Sequence, residues 1–212
     1  GNVIDPLDLI QGIDADGLVI KRTTGLNKPE DAPKIAKQTK AAFPDGFPAF
    51  GADALRFTLA LQEVQGRRQS RLSVAQVESG RNFGTKLWNA ARFCEFNACE
   101  RVAGFDPTSL TQTVNKWIVG ETARVRQATD AALEAYRFND AASGLYQHVW
   151  NVFCDWYVEL AKPLLQDGDD EAKAETRATA AWALDQCLIL LSPIMPFITE
   201  ELWQVTGGDG VL

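Results

Sequence analysis

The chain has 212 residues, enough for one large or two small domains with a real core. Its 46% hydrophobic and 23% charged residues are an ordinary soluble composition, and no apolar run approaches the roughly 20 residues of a membrane span. The net charge of -7 speaks against nucleic acid only until it is divided: residues 1–72 carry ten Lys/Arg against nine Asp/Glu, residues 73–137 eight against seven, and residues 138–212 three against twelve. The first two thirds therefore stay available for phosphate contact, and the last third largely does not.

The opening Gly1-Asn2-Val3-Ile4-Asp5-Pro6 has no basic segment leading into an apolar core, so it is not a signal peptide. Without a starting Met it reads as the interior of a longer protein, and a fragment is expected. Asp5-Pro6 supplies an N-cap acceptor and a proline at the first helical position, predicting a short helix through about Gln11. Residues 17–22 suit either a short strand or a helical turn. Residues 28–43 read as a helix, residues 43–48 as a Pro/Gly loop, and a further helix begins at Asp53. The basic, polar stretch 67–72 reads as a linker between a connective segment, 1–66, and the remainder of the chain.

Four long helical stretches come next, with no sustained period-two alternation. The first is expected over about 73–102. The second is opened by Asp106-Pro107 and runs to about 136, and the third starts near Asn139 and ends where Lys162-Pro163 stops it. The fourth covers about 169–191, breaks at Pro193 and Pro196, and resumes to about 203. Short loops between long amphipathic helices imply antiparallel neighbours, so the fold class is mainly α: an up-and-down bundle over 73–205 preceded by a small, mostly helical segment. Residues 206–212 form a tail.

The four cysteines, Cys94, Cys99, Cys154 and Cys187, include no Cys-x-x-Cys, and His148 is the single histidine. Neither a zinc site nor a disulfide scaffold fits, which leaves free thiols in a reducing cytoplasm and no metal. Cys94 and Cys99, five positions apart on one helix, are expected to point in different directions.

On the first bundle helix a 100° advance per residue places Val77, Gly80, Gly84, Leu87, Trp88, Ala91, Cys94 and Ala98 on one apolar stripe. Asn82, Lys86, Asn89 and Phe93 fall nearly opposite, with Phe96 close by and Thr85 and Arg92 flanking. Amides that read base edges, a cation for phosphate and an aromatic for stacking suit an unstacked RNA loop. A partner helix, or the rest of a larger protein, fits the same face. Glu121 shares the second helix's apolar stripe with Val114, Trp117, Val125 and Ala128, and is expected to pair with a neighbouring arginine, Arg81 or Arg92. Trp150, Phe153, Trp156 and Tyr157 read as core, and His148 as a packed or surface residue rather than a ligand. No Gly-rich phosphate loop, Ser/His/Asp set or carboxylate cluster stands out, so neither an active site nor a bound cofactor is expected in this chain.

Several stretches in order resemble the valyl-tRNA synthetases, class I enzymes that attach valine to tRNA using ATP. The first six residues are similar to the sequence after that family's KMSKS loop. Asp53-Ala54-Leu55-Arg56-Phe57 resembles the class I "DALR" helix, in which Asp53 and Arg56 would be structural. Arg81-Asn82-Phe83, the run from Lys86 to Phe93 and Phe153-Cys154-Asp155-Trp156-Tyr157 resemble the valine branch in particular. Pro193-Ile194-Met195-Pro196-Phe197 is shared with the isoleucyl and leucyl enzymes, which are the alternatives within the family. A non-enzymatic helical scaffold is the alternative outside it. The resemblance implies that residues 1–66 contact the tRNA stem region and that 73–205 bind the anticodon of tRNA(Val), through Asn82, Lys86, Asn89, Arg92 and Phe93. It also implies that ATP and magnesium act in the full-length enzyme, whose catalytic and editing domains would lie outside this chain, in the cytoplasm and away from any membrane.

Overall fold

The computed structural model describes residues 4–63 and 72–212. Of the expected linker only Leu72 lies within the described residues, and Gly1, Asn2 and Val3 lie outside them. Asp5 caps α1 (Pro6–Gln11) by accepting the Leu7 N–H at 3.0 Å. Asp14 caps α2 (Ala15–Thr23) through the Gly17 N–H at 2.7 Å, so the ambiguous stretch at 17–22 is helical. A 3-10 turn, Pro29–Asp31, leads into α3 (Ala32–Ala42). The loop after it returns to the start of α2, where Ile13 and Phe47 exchange backbone hydrogen bonds at 2.9 and 2.8 Å. Gly46 makes this approach with φ 74°; a Cβ there would sit 2.0 Å from the Ile13 carbonyl oxygen.

Next comes α4 (Ala52–Gln62), which faces two cores. Its Ala54 and Leu55 pack with Leu9, Leu18, Phe47, Phe50 and Val77 in a small cluster, while Phe57 enters the large one. The Asp53 carboxylate accepts the Ile198 N–H at 2.7 Å and the Phe197 N–H at 3.3 Å, capping α10 (Pro196–Val205). One turn on, Arg56 donates to the carbonyls of Pro193 at 2.8 Å and Ile194 at 3.0 Å. These two residues of the DALR segment therefore hold the corner that joins α9 (Asp170–Leu191) to α10.

The large core is built by α5 (Val74–Phe96), α6 (Thr113–Glu134), a continuous rod and α9. The rod consists of α7 (Phe138–Tyr146), a π-helical segment (Gln147–Tyr157) and α8 (Val158–Asp167). Expectation and structure part at three places here. Asp106-Pro107 makes a turn, with Asp106 accepting from the Thr108 N–H at 2.9 Å, and α6 starts only at Thr113. Pro163 does not end its helix; the apolar face of Val158, Ala161 and Leu165 continues past it into the core and outweighs the missing hydrogen bond. On α6 the buried face is Asn115, Ile118, Thr122, Thr129 and Ala132, one residue round from the expected stripe.

Of the polar groups on that face, Asn115 and Thr122 find partners inside, whereas the Thr129 hydroxyl is buried without one. Asn115 donates to Glu175 at 2.9 Å and Thr176 at 3.1 Å, and accepts from the Tyr157 hydroxyl at 3.0 Å. Glu175 also accepts from the Thr111 and Gln112 amides, capping the start of α6. His148 is packed, 4% exposed, with Nε2 3.4 Å from the Thr122 hydroxyl. Among the described residues no helix is long and apolar enough to cross a membrane.

This packing generates two stability measurements. Arg56→Ala strands two carbonyls at the corner and should lower stability by about 1–2 kcal/mol, read as the midpoint of urea unfolding. Burial lowers the His148 pKa from 6.5 to about 4, so the unfolded chain takes up the proton first. Stability from this group is complete above pH 6.5 and is lost as pH falls toward about 4, at roughly 1.4 kcal/mol for each unit of the shift. The acid limb of the stability profile should flatten in His148→Gln.

Candidate nucleic-acid interface

The sequence of α5 buries a wider arc than its expected stripe. Phe83 and Ala90 join Val77, Gly80, Gly84, Leu87, Ala91 and Cys94 inside, because the π segment packs on that flank. Trp88 is left at the margin, 37% exposed, and Ala98 lies beyond the helix end. The solvent arc therefore centres on Arg81, Thr85, Asn89, Arg92 and Phe96, with Asn82 beside it.

The expected site residues divide accordingly. Asn82, Asn89 and Arg92 are exposed. Lys86 and Phe93 stand on the edge facing the π segment and are half-buried, so Phe93 is not outside the core as its helical angle suggests; it packs against the large cluster. Lys86 donates to Asp155 at 2.6 Å and lies 5.3 Å from the Trp150 ring centre. The hydrogen bond to Asp155 raises its pKa, which keeps it cationic. Behind it runs a ladder of rings: Trp150 on Tyr146 at 5.5 Å, Tyr146 on Phe83 at 5.1 Å and Phe83 on Phe57 at 4.6 Å. Lys86 thus rests on a stack that reaches back to α4. At the other edge, Phe96 is 75% exposed and the Arg92 guanidinium lies 5.3 Å from its ring centre.

Chemically the face offers amide donors and acceptors, three cations, and ring surface at two depths, with no nucleophile or paired acid and base among them. Among the described residues no group of three His, Cys, Asp or Glu converges to hold a metal ion. Asp155 and Trp150, which hold Lys86, escape sequence reasoning because they come from an element distant in sequence, Asp155 lying 69 positions on, whose π-helical winding breaks the 100° count.

Residues 115–212 match the anticodon-binding domain of tRNA ligases. The chain's relatives place it within the valine branch. It is 60% identical to a valine–tRNA ligase of Nitrobacter winogradskyi over 74% of the chain and 16% of that protein. Against the valine–tRNA ligase of Chromobacterium violaceum it is 48% identical over 98% of the chain and 22% of that protein. The chain thus spans about a fifth of the length of the curated relatives it matches. A solved ternary complex of an Agrobacterium radiobacter LeuRS with tRNA and LeuAMS shares the fold with TM-score 0.57 at 17% identity, covering 76% of this chain and 19% of that one.

Glu121 has no part in this face and does not form the expected inter-helix pair. It is half-exposed, and its partner is Arg124, one turn along its own helix. The stripe assigned to Glu121 is rotated from the true buried face, which leaves the carboxylate at the water boundary. Glu121→Gln should therefore change stability by no more than about 0.5 kcal/mol in thermal unfolding, where a buried inter-helix pair would cost about 3–5 kcal/mol.

Proposed function

We propose that this chain is the anticodon-recognition part of a valyl-tRNA synthetase, and that the anticodon loop of tRNA(Val) docks along α5 on Asn82, Lys86, Asn89, Arg92 and Phe93. The observation that carries the reading is the arrangement of that arc. Exposed amides alternate with a cation and a ring that are both already held in place by the packed helix behind them. Asn82 and Asn89 suit base edges, Arg92 and Lys86 the backbone, and the open side of Phe93 a stacked base. Phe96, with Arg92 over its ring, extends the same platform toward the end of α5.

In this reading residues 1–66 are the stem-contact segment, 67–72 the linker, 73–205 the anticodon-binding domain and 206–212 the tail. The whole enzyme attaches valine to tRNA(Val) in the cytoplasm, converting ATP to AMP and pyrophosphate with magnesium. In this reading ATP and magnesium bind away from this interface. They belong with the catalytic and editing domains of the longer chain, which are its partners together with the tRNA.

The test uses Phe93→Leu, which keeps apolar packing against the core while removing the flat ring. Binding of a stem-loop bearing a valine anticodon, followed by fluorescence anisotropy, should weaken about tenfold, in line with a stack worth roughly 1–3 kcal/mol. Stability should move by less than about 1.5 kcal/mol. Unchanged affinity in a folded variant would place the RNA elsewhere, and equal affinity of the wild-type chain for a stem-loop with a scrambled anticodon would overturn the recognition itself.

A further inference from the structure

The end of α5 brings together two thiols that helical spacing keeps apart. The helix stops at Phe96, and Ala98 takes a left-handed conformation, φ 51°, which turns the chain back on itself. The Cys99 N–H then donates to the Cys94 carbonyl at 2.9 Å, which sets both cysteines at one end of the helix on the same cavity wall. Both cysteines line a cavity of about 740 Å³ between α5, α9 and α10, with Trp88, Arg92, Arg101 and Thr206 around them. Cys94 is buried, while Cys99 is half-buried at the wall. A cavity of this size admits a molecule as small as water or a peroxide.

We propose that Cys94 and Cys99 form a reversible, peroxide-responsive dithiol, with Cys99 as the attacking sulfur and Cys94 as the resolving one. The Cys99 thiolate attacks one oxygen of hydrogen peroxide. The O–O bond breaks, hydroxide leaves and is protonated to water, and Cys99 becomes a sulfenic acid. The Cys94 sulfur then attacks the Cys99 sulfur, the S–O bond breaks, and the departing hydroxide takes the Cys94 proton as a second water. Two thiols are oxidised by two electrons and one peroxide is reduced to two waters.

The surroundings divide the roles. The hydrogen bond from Cys94 lowers the Cys99 pKa, burial opposes it, and the positive charge of Arg177 lowers it further. The same hydrogen bond and burial raise Cys94 well above the usual thiol range, as suits a group that reacts second. Of the remaining cysteines, Cys154 is pushed up to about 12 by burial and Cys187, fully enclosed, is raised as well, so neither competes for the oxidant. The disulfide needs little backbone movement, since the Cys99 N–H bond to the Cys94 carbonyl already folds one cysteine back beside the other. It would be reduced again by any small thiol that reaches the cavity. The inference stands apart from the RNA reading and requires only these side chains.

The test treats the reduced 212-residue chain with hydrogen peroxide, quenches with a thiol-blocking reagent and counts free thiols after denaturation. The four thiols should fall to two, with peptide mapping joining Cys94 to Cys99 within one chain and dithiothreitol restoring all four. In Cys94→Ser the sulfenic acid has no resolving partner, so Cys99 should be trapped by dimedone; the wild-type map gives the answer even where that variant fails to fold. Four surviving thiols, a bridge through Cys154 or Cys187, a bridge between chains, or dimedone on a cysteine other than Cys99 would each overturn the proposal.

Discussion

The candidate face on α5 depends on how α4 grips the α9–α10 corner. Pro193 and Pro196 make that corner sharp, and proline cannot donate, so the backbone there must be satisfied from outside. Asp53 supplies acceptors for the first free amides of α10, where a carboxylate also meets the positive end of the helix, and Arg56 supplies donors for the preceding carbonyls. With the corner fixed, α4 and α10 both close on α5. Gly80 permits the first approach: a Cβ there would lie 2.6 Å from the Ala54 carbonyl oxygen. The roll of α5 about its own axis is thereby set, and that roll decides which of its side chains meet solvent.

The acidic third of the chain does not act as a diffuse negative cloud. Asp169 caps α9 through the Ala172 N–H at 2.8 Å, Glu175 closes the start of α6, Asp185 holds Arg101 against Trp203, and Asp155 seats Lys86. Each of these four carboxylates has a nearby donor to satisfy. The excess of negative charge therefore coexists with an α5 face whose exposed charges include Arg81 and Arg92, and repulsion from the acidic helices would leave that face the easier one for a polyanion.

Much of the fold is legible in the chain. The helical class, the Asp5-Pro6 start, the two-part fourth helix and the structural standing of Asp53 and Arg56 come from caps, prolines and a recognisable segment. The illegible parts have physical causes. The buried face of α6 is lined by Asn115, Thr122 and Thr129, which a hydrophobic count reads as solvent-facing, so a stripe drawn on apolar residues falls one position away and misplaces Glu121. Trp156, expected in the core, is 62% exposed because the wider π-helical turn rotates it away from Phe153 and Tyr157. Cys94 and Cys99 meet because an alanine takes a left-handed conformation that sequence preference assigns to glycine. On α5 helical spacing puts the amides and Arg92 at the surface, where the structure has them, whereas the depth of Phe93 and the pairing of Lys86 depend on a helix distant in sequence.

That depth bears on how the face would work. A fully exposed side chain must be immobilised when it binds, at about 0.5–1.5 kcal/mol for a flexible one. Phe93 is already fixed by the core on one side, and Lys86 by Asp155 and the Trp150 ring, so the proposed docking would find a ring and a cation in position. The same carboxylate that orients Lys86 also offsets its charge, which weakens its pull on phosphate. Arg92 is arranged the other way: exposed, free of a carboxylate partner among the described ion pairs, and set over the face of Phe96. In the proposed docking, attraction and precise placement would thereby fall to different residues. Arg92 would dominate the salt-dependent encounter, while Phe93, set against the large core, and Lys86, resting on the ring ladder at Trp150, would fix the register in which bases meet Asn82 and Asn89.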